Sequence, residues 1–271
     1  VPKEVEEAIA LKREGGDRAM FVAGGTALLP PMKRGQVSCD RVIALSQLAG
    51  LKGIARQPDG SLRLGAAETM ASISTRPEVV EQWPVVARAA GLVASPLLRG
   101  SATIGGNLCL DTRCQFFDQS EEWRHAVGYC LRKDGDTCLV AASSTRCWAV
   151  QTSDLAPVMI ALGAELELTD GAGPRPMLAA NFYADDGMHP FTKHPNDLVT
   201  AVRIPSQVNA RSQYLKVSRR GSIDYPALGV AVWVRFEDKD AAVREARVVL
   251  GAIGSRPLIV SQARDVLLGK P

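Results

Sequence analysis

The sequence predicts an α+β protein in two parts. Residues 1–100 alternate short strands and helices without the strand–helix–strand rhythm of a long parallel sheet. After residue 195, strands follow one another with short turns between them, which predicts a smaller, mostly antiparallel unit. The chain has 271 residues, of which 46% are hydrophobic, so it can bury the core of one large domain or two small ones.

Apolar periodicity and turn residues place the elements of the first part. The predicted helices are 4–14, which Gly15-Gly16 end, 70–74, capped by Thr69, a helix beginning at Arg76-Pro77, and 83–93. The predicted strands are 19–23, 41–45, 51–54 and 62–66, with a hairpin turn at 58–61 before the last of them.

After the cysteine-rich segment, a capped helix is predicted over residues 153–162, and a helix-like segment over 260–268 ends the chain. The predicted strands between them are 165–168, 198–205, 213–217, 227–236 and 247–253. A turn is expected at 171–174 and a polar turn at 237–240.

Charge and hydropathy exclude several classes of protein. The net charge of +3 is mild, and no basic run is interleaved with aromatic residues, so we expect no nucleic-acid partner. No apolar run is long enough for a membrane span, and the charged start shows no secretory signal, so we expect a cytoplasmic protein. Only three histidines occur, which leaves little for a catalytic triad or a histidine metal site.

Two glycine motifs follow predicted strands or helices. The first is Ala23-Gly24-Gly25-Thr26, directly after the strand at 19–23, and the second is Thr103-Ile104-Gly105-Gly106-Asn107. Adjacent glycines let a backbone approach a ligand closely, and a strand that runs into Gly-Gly-Thr suits N–H groups facing an anion. Taken alone, the Gly-Gly-Thr motif is a weak signal, because a simple tight turn explains it more often than a binding site does.

Five of the six cysteines lie within 39 residues, directly after the second glycine motif. Six cysteines in a chain without a signal peptide favour metal or redox use over a disulfide framework. Cys114, Cys130, Cys138 and Cys147 are separated by 16, 8 and 9 positions, without the CxxC pairs usual in zinc sites. An iron–sulfur cluster, zinc or no metal are the alternatives. We expect Cys109 to be a buried small residue, Cys39 to be inert, and Trp123 and Trp148 to shield the site from water.

The ordered set of both glycine motifs and Ser153-Asp154-Leu155-Ala156-Pro157 resembles the FAD-binding medium subunits of the molybdenum hydroxylases, a family that includes xanthine and carbon monoxide dehydrogenases. The resemblance implies a two-part FAD-binding domain of the vanillyl-alcohol-oxidase (PCMH) type over residues 1–205. The start of a smaller α+β C-terminal domain would follow over 206–271. It also implies that family members begin earlier and continue beyond residue 271.

The resemblance also implies which residues hold FAD. Gly24, Gly25 and Thr26 would lie at the pyrophosphate, and Asp154 would accept hydrogen bonds from cofactor hydroxyls or cap its helix, or both. Lys216 would stabilise a reduced, anionic flavin by its charge, or else be a solvated strand residue. The full set is Phe21, Val22, Ala23, Gly24, Gly25, Thr26, Ala27, Leu28, Thr103, Ile104, Gly105, Gly106, Asn107, Asp154, Val199 and Lys216.

The cysteine-rich segment departs from most members of that family. It forms an insertion at about residues 112–150 and resembles the insertion of the 4-hydroxybenzoyl-CoA reductases, where four cysteines hold an extra [4Fe–4S] cluster. That likeness implies that Cys114, Cys130, Cys138 and Cys147 are its ligands.

The reductase likeness also implies a function. The chain would be an electron-transfer subunit in a heterotrimer with a molybdenum large subunit and a [2Fe–2S] small subunit. Ferredoxin would supply electrons, in anaerobic aromatic degradation, to remove the phenolic hydroxyl and give benzoyl-CoA. No catalytic residue is expected on this chain. The alternatives are the FAD subunit of another molybdenum hydroxylase, and a zinc-stapled binding module without flavin.

Overall fold

Helices and strands are mixed along the whole chain of this computed structural model, which describes residues 1–221, 223–237 and 242–270. The strands of the described residues are β1 Ala19–Val22, β2 Arg41–Ala44, β3 Ile54–Arg56, β4 Leu62–Gly65, β5 Glu165–Thr169, β6 Pro174–Leu178, β7 Leu198–Ile204, β8 Ala210–Val217, β9 Leu228–Phe236, β10 Val243–Gly251 and β11 Leu258–Ile259. The helices are α1 Val5–Gly15, α2 Leu29–Lys33, α3 Met70–Thr75, α4 Pro77–Gln82, α5 Pro84–Gly91, α6 Pro96–Arg99, α7 Ile104–Leu108, α8 Glu121–Ala126, α9 Leu155–Leu162, α10 Ala179–Phe182 and α11 Ser261–Leu267.

A two-stranded parallel sheet carries the first glycine motif. Strands β1 and β2 pair from Ala19↔Arg41 to Val22↔Ala44, and α1 packs its buried Ala8 and Ile9 beside them. The Lys12 side chain is buried, and its ammonium donates to the carbonyls of Gly16 (2.7 Å) and Ala19 (2.8 Å). These contacts fix where β1 begins and therefore where the loop after it lies.

An antiparallel sheet with the order β3-β4-β7-β5-β6 forms the centre of the first part. Side chains alternate between its faces, because successive residues of a strand point in opposite directions. Leu64, Leu166 and Val202 are fully buried on one face. On the other face Arg63 donates to both carboxylate oxygens of Glu167 (2.8 to 3.2 Å).

A second antiparallel sheet, with the order β11-β10-β9-β8, closes the molecule at its C-terminal side. The helix α9, whose eight residues are all buried, contacts β9 and β10 of this sheet and the helices α5 and α7. A helix that is apolar all round has no solvent face, so it must lie inside the fold. The core around α9 unites both parts of the chain.

The structure confirms the mixture of helices and strands and the antiparallel C-terminal unit. The strand predicted at 51–54 is wrong: a 3-10 turn occupies Ala49–Leu51 and the strand runs over Ile54–Arg56. Leu51 is apolar because its side chain is buried in the core beside α1, and not because it alternates in a strand. Residues 238–240 of the predicted polar turn lie outside the described residues. Within the described ranges, no helix has the length and apolar character needed to cross a bilayer.

Candidate functional site

The two glycine motifs lie against each other. A Cβ atom added to Gly24 would fall 1.8 Å from the carbonyl oxygen of Ser101, so only glycine allows the first loop to pass so close to the second. Gly25 has a φ of +71°, in the left-handed region that favours glycine. The sequence therefore brings two segments, about 80 residues apart, into backbone contact.

The first loop presents free donors. Gly24, Gly25, Thr26 and Ala27 donate their backbone N–H groups to no other group of the described residues, and they are only half-buried. Buried N–H groups in proteins nearly always have a partner, and successive free ones form a concave site for an anion. The loop thus fits a phosphate or pyrophosphate ligand.

The second loop is held in shape by protein contacts. The Thr103 hydroxyl accepts from the N–H of Gly106 (3.2 Å) and caps α7. Gly105 packs against Ala66, where an added Cβ would lie 2.8 Å from the Ala66 Cβ atom. The Asn107 side-chain oxygen accepts from the Ser153 hydroxyl (2.7 Å) and from the N–H of Leu155 (3.3 Å). Asn107 therefore ties this loop to the beginning of α9.

Asp154 lies at that beginning, but its side chain does not cap the helix, so the capping interpretation is wrong. The hydroxyl of Ser153 accepts from the N–H of Ala156 (3.0 Å) instead. Asp154 is buried and accepts from the Tyr214 hydroxyl (2.9 Å) and the Lys216 ammonium (3.0 Å). Burial raises the pKa of Asp154, and the positive charge of Lys216 acts in the opposite direction.

Lys216 is not a solvated strand residue: 7% of its side chain is exposed. Its ammonium also donates to the carbonyl of Leu92 (2.9 Å). Tyr214 precedes it by two positions on β8 and is fully buried, and burial together with Asp154 raises the pKa of this phenol well above its usual value. Val199 lies in the hydrophobic core on β7. The cofactor roles of Asp154, Val199 and Lys216 stay predictions.

The cysteine-rich insertion begins and ends at one point. Arg113 and Val150 exchange two backbone hydrogen bonds of 2.8 Å, which close the loop between them. Gln151 donates to the carbonyl of Leu110 (2.8 Å), just after α7, and Gln36 donates to the carbonyl of Gln119 (3.2 Å). The insertion is therefore closed at its base, follows the second glycine loop along the chain, and contacts through Gln119 the segment after the first glycine loop.

Cys114, Cys130, Cys138 and Cys147 all line one small cavity, together with Phe116, Phe117, Leu131, Arg132, Leu139, Val140 and Ala149. Three of these cysteines are buried, and Cys114 is partly exposed. Four cysteines spread over 34 positions of sequence thus line one space.

The surroundings of two of these thiols differ. Burial raises the pKa of Cys147, whereas the charge of Arg132 opposes that rise. At Cys138 burial is outweighed by backbone N–H donors of Ala141, Trp148 and Val140, which lower the thiol pKa. Donors aimed at sulfur stabilise a thiolate, so Cys138 sits in an environment suited to a ligand.

Some predictions for this segment need correction. Trp123 and Trp148 are more than a third exposed and do not line the cavity; Phe116, Phe117 and the leucines cover it instead. Cys109 is partly buried rather than fully buried; it packs against the core, and burial raises its pKa to about 11. Among the described residues, no three His, Cys, Asp or Glu side chains are grouped closely enough to hold a metal ion, so the four-cysteine site stays a prediction.

Sequence reasoning missed two residues of the polar cluster. This cluster consists of Asn107, Ser153, Asp154, Tyr214 and Lys216. The sequence predicts no separate role for Ser153, although its hydroxyl caps α9 and donates to Asn107. For Tyr214 the sequence predicts only a place in the strand at 213–217. The available signal was its spacing of two from Lys216, because residues i and i+2 share one face of a strand.

The family comparisons agree with this geometry. Residues 1–207 match the family described as FAD binding domain in molybdopterin dehydrogenase. Residues 213–271 match the family described as CO dehydrogenase flavoprotein C-terminal domain.

Individual proteins show the same likeness. The aldehyde oxidoreductase FAD-binding subunit PaoB of Escherichia coli K12 is 30% identical over 267 residues, which cover 95% of this chain and 81% of PaoB. The carbon monoxide dehydrogenase medium chain of Afipia carboxidovorans OM5 is 25% identical and aligns with 99% of this chain and 78% of its own length. A chain in the structure of carbon monoxide dehydrogenase from Hydrogenophaga pseudoflava superimposes with a TM-score of 0.78 at 26% identity, covering 99% of this chain and 79% of that chain.

The buried ion pair yields a stability prediction. Asp154→Asn leaves the Lys216 ammonium buried without its counter-charge, so we expect the free energy of unfolding at pH 7 to fall by about 3–5 kcal/mol. Urea denaturation measures this. In Asp154→Asn/Lys216→Met the loss should be smaller than the sum of the two single losses. Asp170→Asn, at an exposed site near Arg13, is the control and should have little effect. Additive losses at 154 and 216 would contradict the pairing.

Proposed function

The chain belongs to the FAD-binding medium subunits of the molybdenum hydroxylases, and from that premise we propose that it is an electron-transfer subunit carrying FAD and one [4Fe–4S] cluster. The single observation that carries the cluster is the convergence of Cys114, Cys130, Cys138 and Cys147 on one cavity. A thiolate set of this size suits such a cluster. The insertion also follows the second glycine loop along the chain and contacts, at Gln119, the segment after the first, which would place the two redox groups near each other.

The residues that we assign to FAD are those of the two loops and the polar cluster. The free N–H groups of Gly24 to Ala27 would bind the pyrophosphate, because they are donors without partners. Thr103 to Asn107 would form the facing wall, and Asn107 would keep it in register with α9. When bound, flavin would supply chemistry that transfers electrons either in pairs or one at a time. Asp154 and Lys216 balance each other's charge beside that wall.

The subunit is proposed to work within a heterotrimer. Its partners would be a large subunit with the molybdenum cofactor and a small subunit with a [2Fe–2S] cluster. Its relatives are named medium chains or FAD-binding subunits, which supports this assembly. Substrate chemistry would take place on the large subunit, and no group of this chain is assigned a role in it.

Two substrate classes compete. The relative PaoB is named an aldehyde oxidoreductase subunit, which favours oxidation of an aldehyde by the complex. The four-cysteine insertion resembles that of the 4-hydroxybenzoyl-CoA reductases, which would favour reductive removal of a phenolic hydroxyl with ferredoxin as donor. The comparisons favour the hydroxylase class over the reductase, so the aldehyde is our first candidate.

Flavin content tests the assignment of the first loop. Gly24→Ala places a Cβ atom against the Ser101 carbonyl and forces the two loops apart, so the purified complex should retain less than about a tenth of its FAD, a loss equivalent to about 1.4 kcal/mol or more of binding free energy. Flavin is quantified by absorbance after denaturation. Gly50→Ala is the matched control, because its Cβ would meet only Val5 at 3.7 Å. Full flavin in Gly24→Ala would argue against this site.

Metal analysis of anaerobically purified complex tests the cluster. After subtraction of the irons of the partner subunit, we expect about four irons and four sulfides per chain, as a [4Fe–4S] centre requires. Cys130→Ser should lose them, together with one EPR signal of the reduced sample. Cys39→Ser removes a cysteine outside the cavity and should keep both. Zinc without flavin would support a binding module, and flavin without this iron an ordinary hydroxylase subunit.

Turnover by the complex separates the two substrate classes. With an artificial electron acceptor, we expect oxidation of an aromatic aldehyde to its acid. With a strong reductant and 4-hydroxybenzoyl-CoA, we expect no formation of benzoyl-CoA, which chromatography would detect. The opposite pair of results would replace the aldehyde assignment by the reductase.

A further inference from the structure

One wall of the cysteine cavity carries a fixed positive charge. Arg132 lines the cavity and only 9% of its side chain is exposed. Its guanidinium donates to the carbonyl (2.9 Å) and the hydroxyl (3.0 Å) of Thr112, and to a carboxylate oxygen of Asp111 (2.6 Å). These bonds hold the charge in one place at the wall of the cavity.

A second cation lies behind the first. The Phe117 ring has the Arg132 guanidinium carbon 4.2 Å from its centre and that of Arg124 at 5.8 Å. The Arg124 side chain is 4% exposed and pairs through one nitrogen with Glu121, while its Nε and Nη1 have no partner among the described residues. Positive charge is thus concentrated on one side of a cavity whose other non-cysteine residues are apolar.

The carboxylates that could cancel the positive charge of Arg132 and Arg124 are exposed to solvent. Asp111, the partner of Arg132, is 60% exposed, and Glu121 is 56% exposed, so water screens both carboxylates more than it screens the arginines. Arg146, the cation near Cys138, pairs with Asp185, stacks on Trp148 at 3.8 Å and is more exposed. Arg132 is therefore the cation that acts most directly on the cavity.

We propose that Arg132, backed by Arg124, sets the reduction potential of the group held by the four cysteines by stabilising its electron-loaded form. The proposal rests on the [4Fe–4S] assignment made above. Reduction adds one electron, supplied by reduced flavin or another one-electron donor, without forming or breaking a bond and without moving a proton. The added negative charge is stabilised by a nearby cation, most strongly where the surroundings are apolar. Arg132 acts through the cluster's charge and is a positioning residue, not a catalytic one.

The test is a redox titration of the anaerobically purified complex, followed by EPR. In Arg132→Gln we expect a more negative midpoint potential for the cluster, with iron, sulfide and flavin contents unchanged. Lys133→Gln removes the same charge one position away, where the side chain is 40% exposed and paired with Asp134, and should leave the potential at the wild-type value. Equal potentials in wild type and Arg132→Gln would overturn the proposal.

A charge-retaining variant separates electrostatics from packing. Arg132→Lys keeps the cation but loses part of the bonding to Thr112, so its potential should lie closer to wild type than that of Arg132→Gln. An equal shift in both variants would show that packing is responsible and would overturn the proposal. If Arg132→Gln loses its iron, Arg124→Gln takes its place: a more negative potential supports the proposal and an unchanged one refutes it. Wild-type complex without this iron would instead refute the cluster itself.

Discussion

The burial of α9 is the constraint on which the rest of the structure depends. Its eight residues have no polar face and must be covered on all sides, and strands β9 and β10 and the helices α5 and α7 contact them. A helix so placed brings its N-terminal residues to the junction of the two parts. The side-chain oxygen of Asn107 accepts hydrogen bonds from Ser153 and Leu155 at this end of the helix. On β8, Tyr214 and Lys216 donate to Asp154. Burying one apolar segment therefore also assembles the polar cluster.

The glycines of the two motifs serve packing as well as the ligand binding that we propose for them. Gly24 and Gly105 are required because carbonyl or methyl groups of Ser101 and Ala66 occupy the space of a side chain. The N–H groups of Gly24 to Ala27 donate to no group in the part of the chain that the structure describes. Adjacent glycines let a backbone approach either a neighbouring segment or a ligand closely, so two glycines in sequence do not by themselves indicate a binding site.

The insertion adds a different kind of site to the same scaffold. It is anchored by Arg113 and Val150, and Gly187 packs so closely on Cys147 that a Cβ atom there would lie 2.9 Å from the sulfur. Four thiols, apolar side chains and one fixed guanidinium share the cavity. Thiolates carry negative charge, and a buried cation such as Arg132 offsets it. The redox role proposed for the cavity depends on this balance between thiolate and guanidinium charge.

The sequence by itself determined most helices and strands, because apolar periodicity and turn residues are local signals, and it determined the family through the ordered motifs. It also picked out four cysteines and both glycine loops. Only the tertiary structure decided that Asp154 pairs with Lys216 and Tyr214 and does not cap α9, that Leu51 is buried outside a strand, and that Trp123 and Trp148 lie away from the cavity. Each of these features depends on which distant segment of the chain supplies a hydrogen-bonding partner or buries the side chain. Spacing along one chain carries no information about that choice, since it is made when the core around α9 closes.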